Sequence, residues 1–220
     1  MKGIMIKDLY DNFRVGKNLA SYIFGGGFIL VVTLLCTSQS DAKLSYSWMI
    51  MITAVIFSSC LIESSCEQDE KANFNRLMIS FPLSKTQIVI TRYLLALCCI
   101  GVSNLLTLLM ILYAVYVKPV FSPEAALELW GLGLVISILF TGISQVIYYL
   151  FGKKVGTIVY LIFFAILASS YHLIIFFATE IFNIHFRLQI ILLIAGIPLS
   201  LLFLGLSCLI SIRIFKRRYA

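Results

Sequence analysis

Reaction chemistry in this chain would have to start from two histidines, six cysteines and one Gly-Lys loop. His172 and His185 stand far from any HExxH or GxSxG pattern, and no Asp occupies the middle of an apolar stretch. An intramembrane hydrolase or metalloenzyme therefore lacks its acid, base and ligand set, and His172 reads as a packing or polar-network residue. Cys36, Cys60, Cys66, Cys98, Cys99 and Cys208 fall within or at the ends of hydrophobic runs, with no CxxC pair and no accompanying His. They behave as small apolar side chains rather than as a zinc site or disulfide framework. Gly152, Lys153, Lys154 and Gly156 invite comparison with a phosphate-binding loop, but the Walker pattern GxxxxGK[ST] needs Gly at 147 and Ser or Thr at 154, where this chain has Ile147 and Lys154. No catalytic, cofactor-binding or metal-binding set emerges. A channel finds no better footing, because no TVGYG-like filter is present.

The densest array of charge lies elsewhere, in Glu63, Glu67, Asp69, Glu70, Lys71 and Arg76, followed by Leu77 to Leu83 (LMISFPL), Ser84 and Lys85. Glu63, Glu67 and Glu70 stand at i, i+4 and i+7, so a helix would carry them on one face. Like charges crowded there oppose each other, and a basic partner would relieve them. Pro82 disfavours helix at the residue before it, which predicts a short helix, a turn at Pro82 and a return to the next apolar run.

The elements around these residues follow from composition. Of 220 residues, 61% are hydrophobic and 12% charged, against about 45–50% and about 25% in soluble domains, so a water-soluble fold is excluded. A helix crosses a hydrocarbon core of ~30 Å with about 20 apolar residues. Six such runs are present: Leu19 to Ser38, Ser47 to Ser65, Arg92 to Val117, Leu127 to Phe151, Thr157 to Thr179 and Leu188 to Ile212. The expectation is an all-α integral membrane protein, a single six-helix domain over 1–220, since lipid-exposed backbone must satisfy itself. Pro198 is expected to kink the sixth run. Gly25, Gly26 and Gly27 open the first, permitting close backbone approach.

Orientation follows from the basic residues. All of the 17 Lys and Arg except Lys43, Lys118 and Arg187 fall on the face that holds both termini, which predicts cytoplasmic termini by the positive-inside rule. The net charge of +7 is thus a topology signal rather than a sign of nucleic acid. Before the first run, Ile6, Leu9, Tyr10 and Phe13 recur at helical spacing opposite Lys7, Asp8, Asp11 and Arg14, the pattern of a helix lying in the membrane interface.

An interfacial helix containing IKDLY (Ile6 to Tyr10), six spans, and a first internal loop reading EQDEKANFNRLMISFPLSKTQIVITRYL (Glu67 to Leu94) together resemble the membrane subunit of a type-2 ATP-binding cassette (ABC) exporter. The loop is similar to that of small bacterial permeases related to the phenol-soluble modulin exporter. Glu70, Lys71, Leu77, Ser80, Phe81, Pro82, Lys85, Ile88, Val89, Arg92, Tyr93 and Leu94 match their pattern, with the Asn displaced past Ala72 to Asn73. The resemblance implies a multi-pass protein of the bacterial cytoplasmic membrane. It would form a pathway for amphipathic peptides or other hydrophobic compounds with a second, identical permease subunit, above two cassette ATPase subunits that hold the ATP and Mg. It implies an elbow helix at 1–18, a coupling loop at 67–87 and a re-entrant outer segment at 169–187. In that reading the ATPase contact is made by Glu67, Asp69, Glu70, Lys71, Asn73, Arg76, Phe81, Pro82, Leu83 and Lys85. The competing expectation is a stand-alone membrane enzyme or channel with no ATPase partner.

Overall fold

The computed structural model describes residues 2–14, 50, 52–55, 65, 69, 84–117, 119–120, 122–152, 155–163, 165–166 and 186–218. Among the described residues every regular element is an α-helix. Four have defined bounds: α1 (Lys2–Arg14), α2 (Lys85–Tyr116), α3 (Pro123–Phe151) and α4 (Phe186–Arg218). Residues 50, 52–55, 65 and 69, and residues 155–163 and 165–166, are helical as well. Among the described residues three helices are long and apolar enough to cross a membrane, over Lys85–Tyr116, Pro123–Phe151 and Ile194–Arg218. At about 1.5 Å per residue the 32 residues of α2 reach about 48 Å, well beyond a hydrocarbon core of ~30 Å. Its ends must therefore tilt or project into the headgroup zone.

Local chemistry explains where the helices begin and end. The apolar run predicts a start near Arg92, but α2 begins at Lys85 because Ser84, Lys85, Thr86 and Gln87 form a capping box. Ser84 Oγ accepts from the Gln87 amide and Gln87 Oε1 accepts from the Ser84 amide, both at 3.2 Å, satisfying two otherwise orphaned donors. The last residues of the expected coupling loop at 67–87 are thus the cap and first turn of a helix. Likewise α3 begins at Pro123, ahead of Leu127, with Ser122 as N-cap and Glu124 in the first turn. It ends at Gly152, which takes φ 74° and donates its amide to the Tyr148 carbonyl at 3.0 Å. A Cβ on Gly156 would lie 2.7 Å from the Tyr148 ring, so the glycine at that position permits a close approach. Both glycines of the apparent phosphate loop are accounted for by the turn after α3. Helix α4 runs through Pro198 and on to Arg218, beyond Ile212.

Helix directions follow from the contacts. Ile111 clusters with Ala126 and Leu129, while Asn104 Nδ2 donates to Ser137 Oγ at 3.2 Å, so α2 and α3 run antiparallel. The Gly142 carbonyl accepts from Ser207 at 2.7 Å, Tyr149 stacks edge-on against Phe215 with centroids 5.9 Å apart, and Arg218 donates to the Tyr149 carbonyl at 3.3 Å. Helices α3 and α4 therefore run parallel. Tyr93, near the start of α2, meets Ser207 and Ser211 near the end of α4 at 2.7 and 2.8 Å. A hydroxyl has one proton, and that of Ser207 goes to the Gly142 carbonyl. Tyr93 must then donate to Ser207 and accept from Ser211, giving a directed chain Ser211 to Tyr93 to Ser207 to Gly142 across three helices. Between apolar helices in lipid such bonds and close packing, rather than hydrophobic burial, hold the bundle.

The start of α2 and the ends of α3 and α4 consequently share one end of the bundle. There Ile4 of α1 joins Ile88, Val89, Tyr93, Tyr149 and Phe215 in one buried cluster. Helical residues 50 and 52–55 lie against the far half of α2, where Thr53 Oγ1 meets Met110 Sδ at 3.8 Å. Asp69 lies at the near end, paired with Arg92. Thr53 and Asp69 thus meet α2 in the reverse of its own order.

Candidate coupling site

At that end, among the described residues, Lys7, Asp8, Asp69 and Arg92 converge from three segments. Asp69 is fully buried, and its two carboxylate oxygens are divided: Oδ1 accepts from Lys7 of α1, Oδ2 from Arg92 of α2. Lys7 also lies 3.4 Å from Asp8 Oδ1. Asp8 is 1% exposed and Arg92 6%, so both carboxylates and the guanidinium are withdrawn from water, while the Lys7 side chain, 25% exposed, reaches them from the rim. Burying an unpaired ion costs several kcal/mol, and breaking a buried pair by removing one partner typically costs about 3–5 kcal/mol. The cluster thus fixes where α1, residue 69 and α2 sit relative to one another. Burial raises the Asp8 carboxyl above its ordinary value of 3.8, and neighbouring Asp69 pushes in the same direction, against the lowering pull of Arg92 and Lys7.

The periodicity of α1 reads differently in three dimensions than in sequence. Ile6, Leu9 and Tyr10 are 64%, 38% and 50% exposed, as the lipid-facing side of an interfacial helix should be. The opposite, polar face does not meet water alone. Asp8 and Ile4, one turn apart, are turned into the protein.

Two of the sequence-derived site residues are described. Asp69 is buried between Lys7 of α1 and Arg92 of α2, and Lys85 is the half-buried first residue of α2. Glu67, Glu70, Lys71, Asn73, Arg76, Phe81, Pro82 and Leu83 lie outside the described residues, as do 169–185 of the expected re-entrant segment. Phe186 and Arg187 open α4. Sequence reasoning missed Lys7, Asp8 and Arg92 as members of one charge cluster. Its trace was an Arg opening the third apolar run, together with a Lys-Asp pair in an amphipathic helix.

Long apolar helices, an N-terminal helix with exposed Ile6, Leu9 and Tyr10 and a buried Asp8, and a charge cluster at one bundle end define a helical membrane protein. The family model for ABC-2 family transporter proteins matches residues 3–216, and the chain belongs to that family. Membrane subunits of this family are usually non-catalytic, and membership generally implies an ATPase partner. No curated protein and no solved structure matches the chain.

Proposed function

We propose that the chain is the transmembrane subunit of an ATP-driven exporter of the bacterial cytoplasmic membrane, paired with an identical copy and with two cassette ATPase subunits. The observation that carries this reading is the family match over nearly the whole chain. The shared bundle end, where α1, Asp69 and the start of α2 meet, supports a docking face there. Six spans with cytoplasmic termini put this end inside the cell, with 1–18 as the elbow helix and 169–187 as a re-entrant outer segment. ATP and Mg are held by the partner. The cargo class is amphipathic peptides or other hydrophobic compounds, as in the permeases related to the phenol-soluble modulin exporter.

The ATPase contact is made by the segment from Glu67 to Lys85. A helix that turns Ser65 and Asp69 inward would, by its period of 3.6, set Glu63, Glu67 and Glu70 on the opposite side, toward a partner. Phe81 and Leu83 fill an apolar cleft on the ATPase, with Pro82 fixing the turn between them, and Glu70, Lys71, Asn73 and Arg76 supply the polar rim. Co-purification of the chain with cassette ATPase subunits tests this. Association, with ATP turnover altered by the permease and association weakened by Glu70→Lys or Phe81→Ala, is the expected result. An isolated chain that binds nucleotide saturably, or that recruits no ATPase, would return the stand-alone enzyme or channel to first place.

A further inference from the structure

The buried charge cluster joins two segments that are far apart in sequence through one side chain. Asp69 stands within the segment proposed to meet the ATPase, yet it is wholly buried and both its oxygens are taken by cations of this chain. One oxygen holds α1 through Lys7, the other holds α2 through Arg92. Around them, Ile4 of α1 packs into the same apolar cluster as Ile88, Val89 and Tyr93 of α2. A displacement of residue 69 therefore cannot leave α1 behind without exposing or unpairing buried charge, which the low local dielectric opposes. The apolar side of α1 carries Ile6, Leu9 and Tyr10 outward, while Ile4 and Asp8 are turned into the protein.

We propose that Asp69 is a positioning residue that couples α1 to the ATPase-facing segment, so that nucleotide-driven motion at that segment moves the elbow helix as well as α2. This inference rests on the reading given under Proposed function. Lys7 is the transmitting contact on α1, and Arg92 is the anchor on α2. Asp8 shares Lys7 with Asp69 and does not itself bridge residue 69 to α2.

The test uses the full permease–ATPase complex in lipid nanodiscs, with hydrogen exchange of α1 read with and without ATP trapped by vanadate. In the wild-type complex the exchange of residues 2–14 should change on trapping by roughly fivefold or more, the lower end of coupling between linked sites. Asp69→Asn should abolish that response, and Asp69→Glu should retain it. Lys7→Met should abolish the α1 response, and Lys7→Arg, which keeps the cation beside Asp69, should retain it. An α1 response that survives Lys7→Met, or wild-type α1 that does not respond while the docked ATPase turns over, overturns this inference and leaves the exporter reading intact. Failure of any ATPase to associate with the wild-type chain overturns both.

Discussion

Asp8 shows how a single residue can oppose the cluster it helps to balance. Its carboxyl is buried beside Asp69, and the loss of hydration outweighs the attraction of Arg92 and Lys7, so its folded pKa lies above the ordinary 3.8. A raised folded pKa means that the protonated form is the one the fold prefers. The stability it contributes is fully present below 3.8 and is lost as pH rises through the elevated value. Asp8→Asn, a neutral group of the same shape, should hold α1 in that low-pH condition at every pH. Hydrogen exchange of α1, corrected for intrinsic rates, should become slower in Asp8→Asn than in wild type near neutrality and converge with it in acid. Slower exchange in the wild type at neutral pH would show that the attraction to Lys7 and Arg92 outweighs desolvation. Little of this was legible in sequence. Amphipathic spacing assigned Lys7 and Asp8 to a polar face and stopped there, because periodicity marks which residues share a side but not whether that side meets water or another helix.

At the scale of elements, the apolar runs were legible and their true limits less so. Hydropathy begins the third run at Arg92 because Lys85 and Gln87 lower the local average, yet the Ser84–Gln87 capping box starts the helix there. The box was written in the sequence as S-x-x-Q. A hydropathy scan weighs transfer into lipid and is blind to a reciprocal pair of hydrogen bonds. The chain of hydroxyls through Tyr93 was less accessible still, since Tyr93, Gly142, Ser207 and Ser211 come together only when α2, α3 and α4 pack. That chain makes a specific energetic prediction. Interhelical hydrogen bonds in membranes average about 0.6 kcal/mol and reach about 1.7 kcal/mol. Tyr93→Phe and Ser207→Ala should each destabilise the bundle within that range in reversible unfolding from mixed micelles. Because both break one directed chain, the double variant should cost less than the two added together. Strict additivity would mean that the bonds act independently.

For the whole molecule, the helix directions decide what a topology experiment must find. Antiparallel α2 and α3, with α4 parallel to α3, bring Lys85 and Arg92 to the same end as Arg213, Lys216, Arg217 and Arg218, with α1 beside them. Basic residues resist translocation and collect on the cytoplasmic side, so this end should face the cytoplasm and the opposite end, where α3 begins at Pro123 and Glu124, should face outward. Packing gathers these basic residues at one end, and the charge bias is what assigns that end to the cytoplasm. Single cysteines placed at Asp41 and at Glu124, in a chain whose own six cysteines are replaced by Ala, should therefore react with a membrane-impermeant maleimide in intact cells. A cysteine at Lys154 or at Arg218 should react only after the membrane is opened. Labelling of Lys154 or Arg218 from outside would invert the molecule and place the Lys7–Asp69–Arg92 cluster on the side where no ATP is available, removing any means by which an ATPase could reach it.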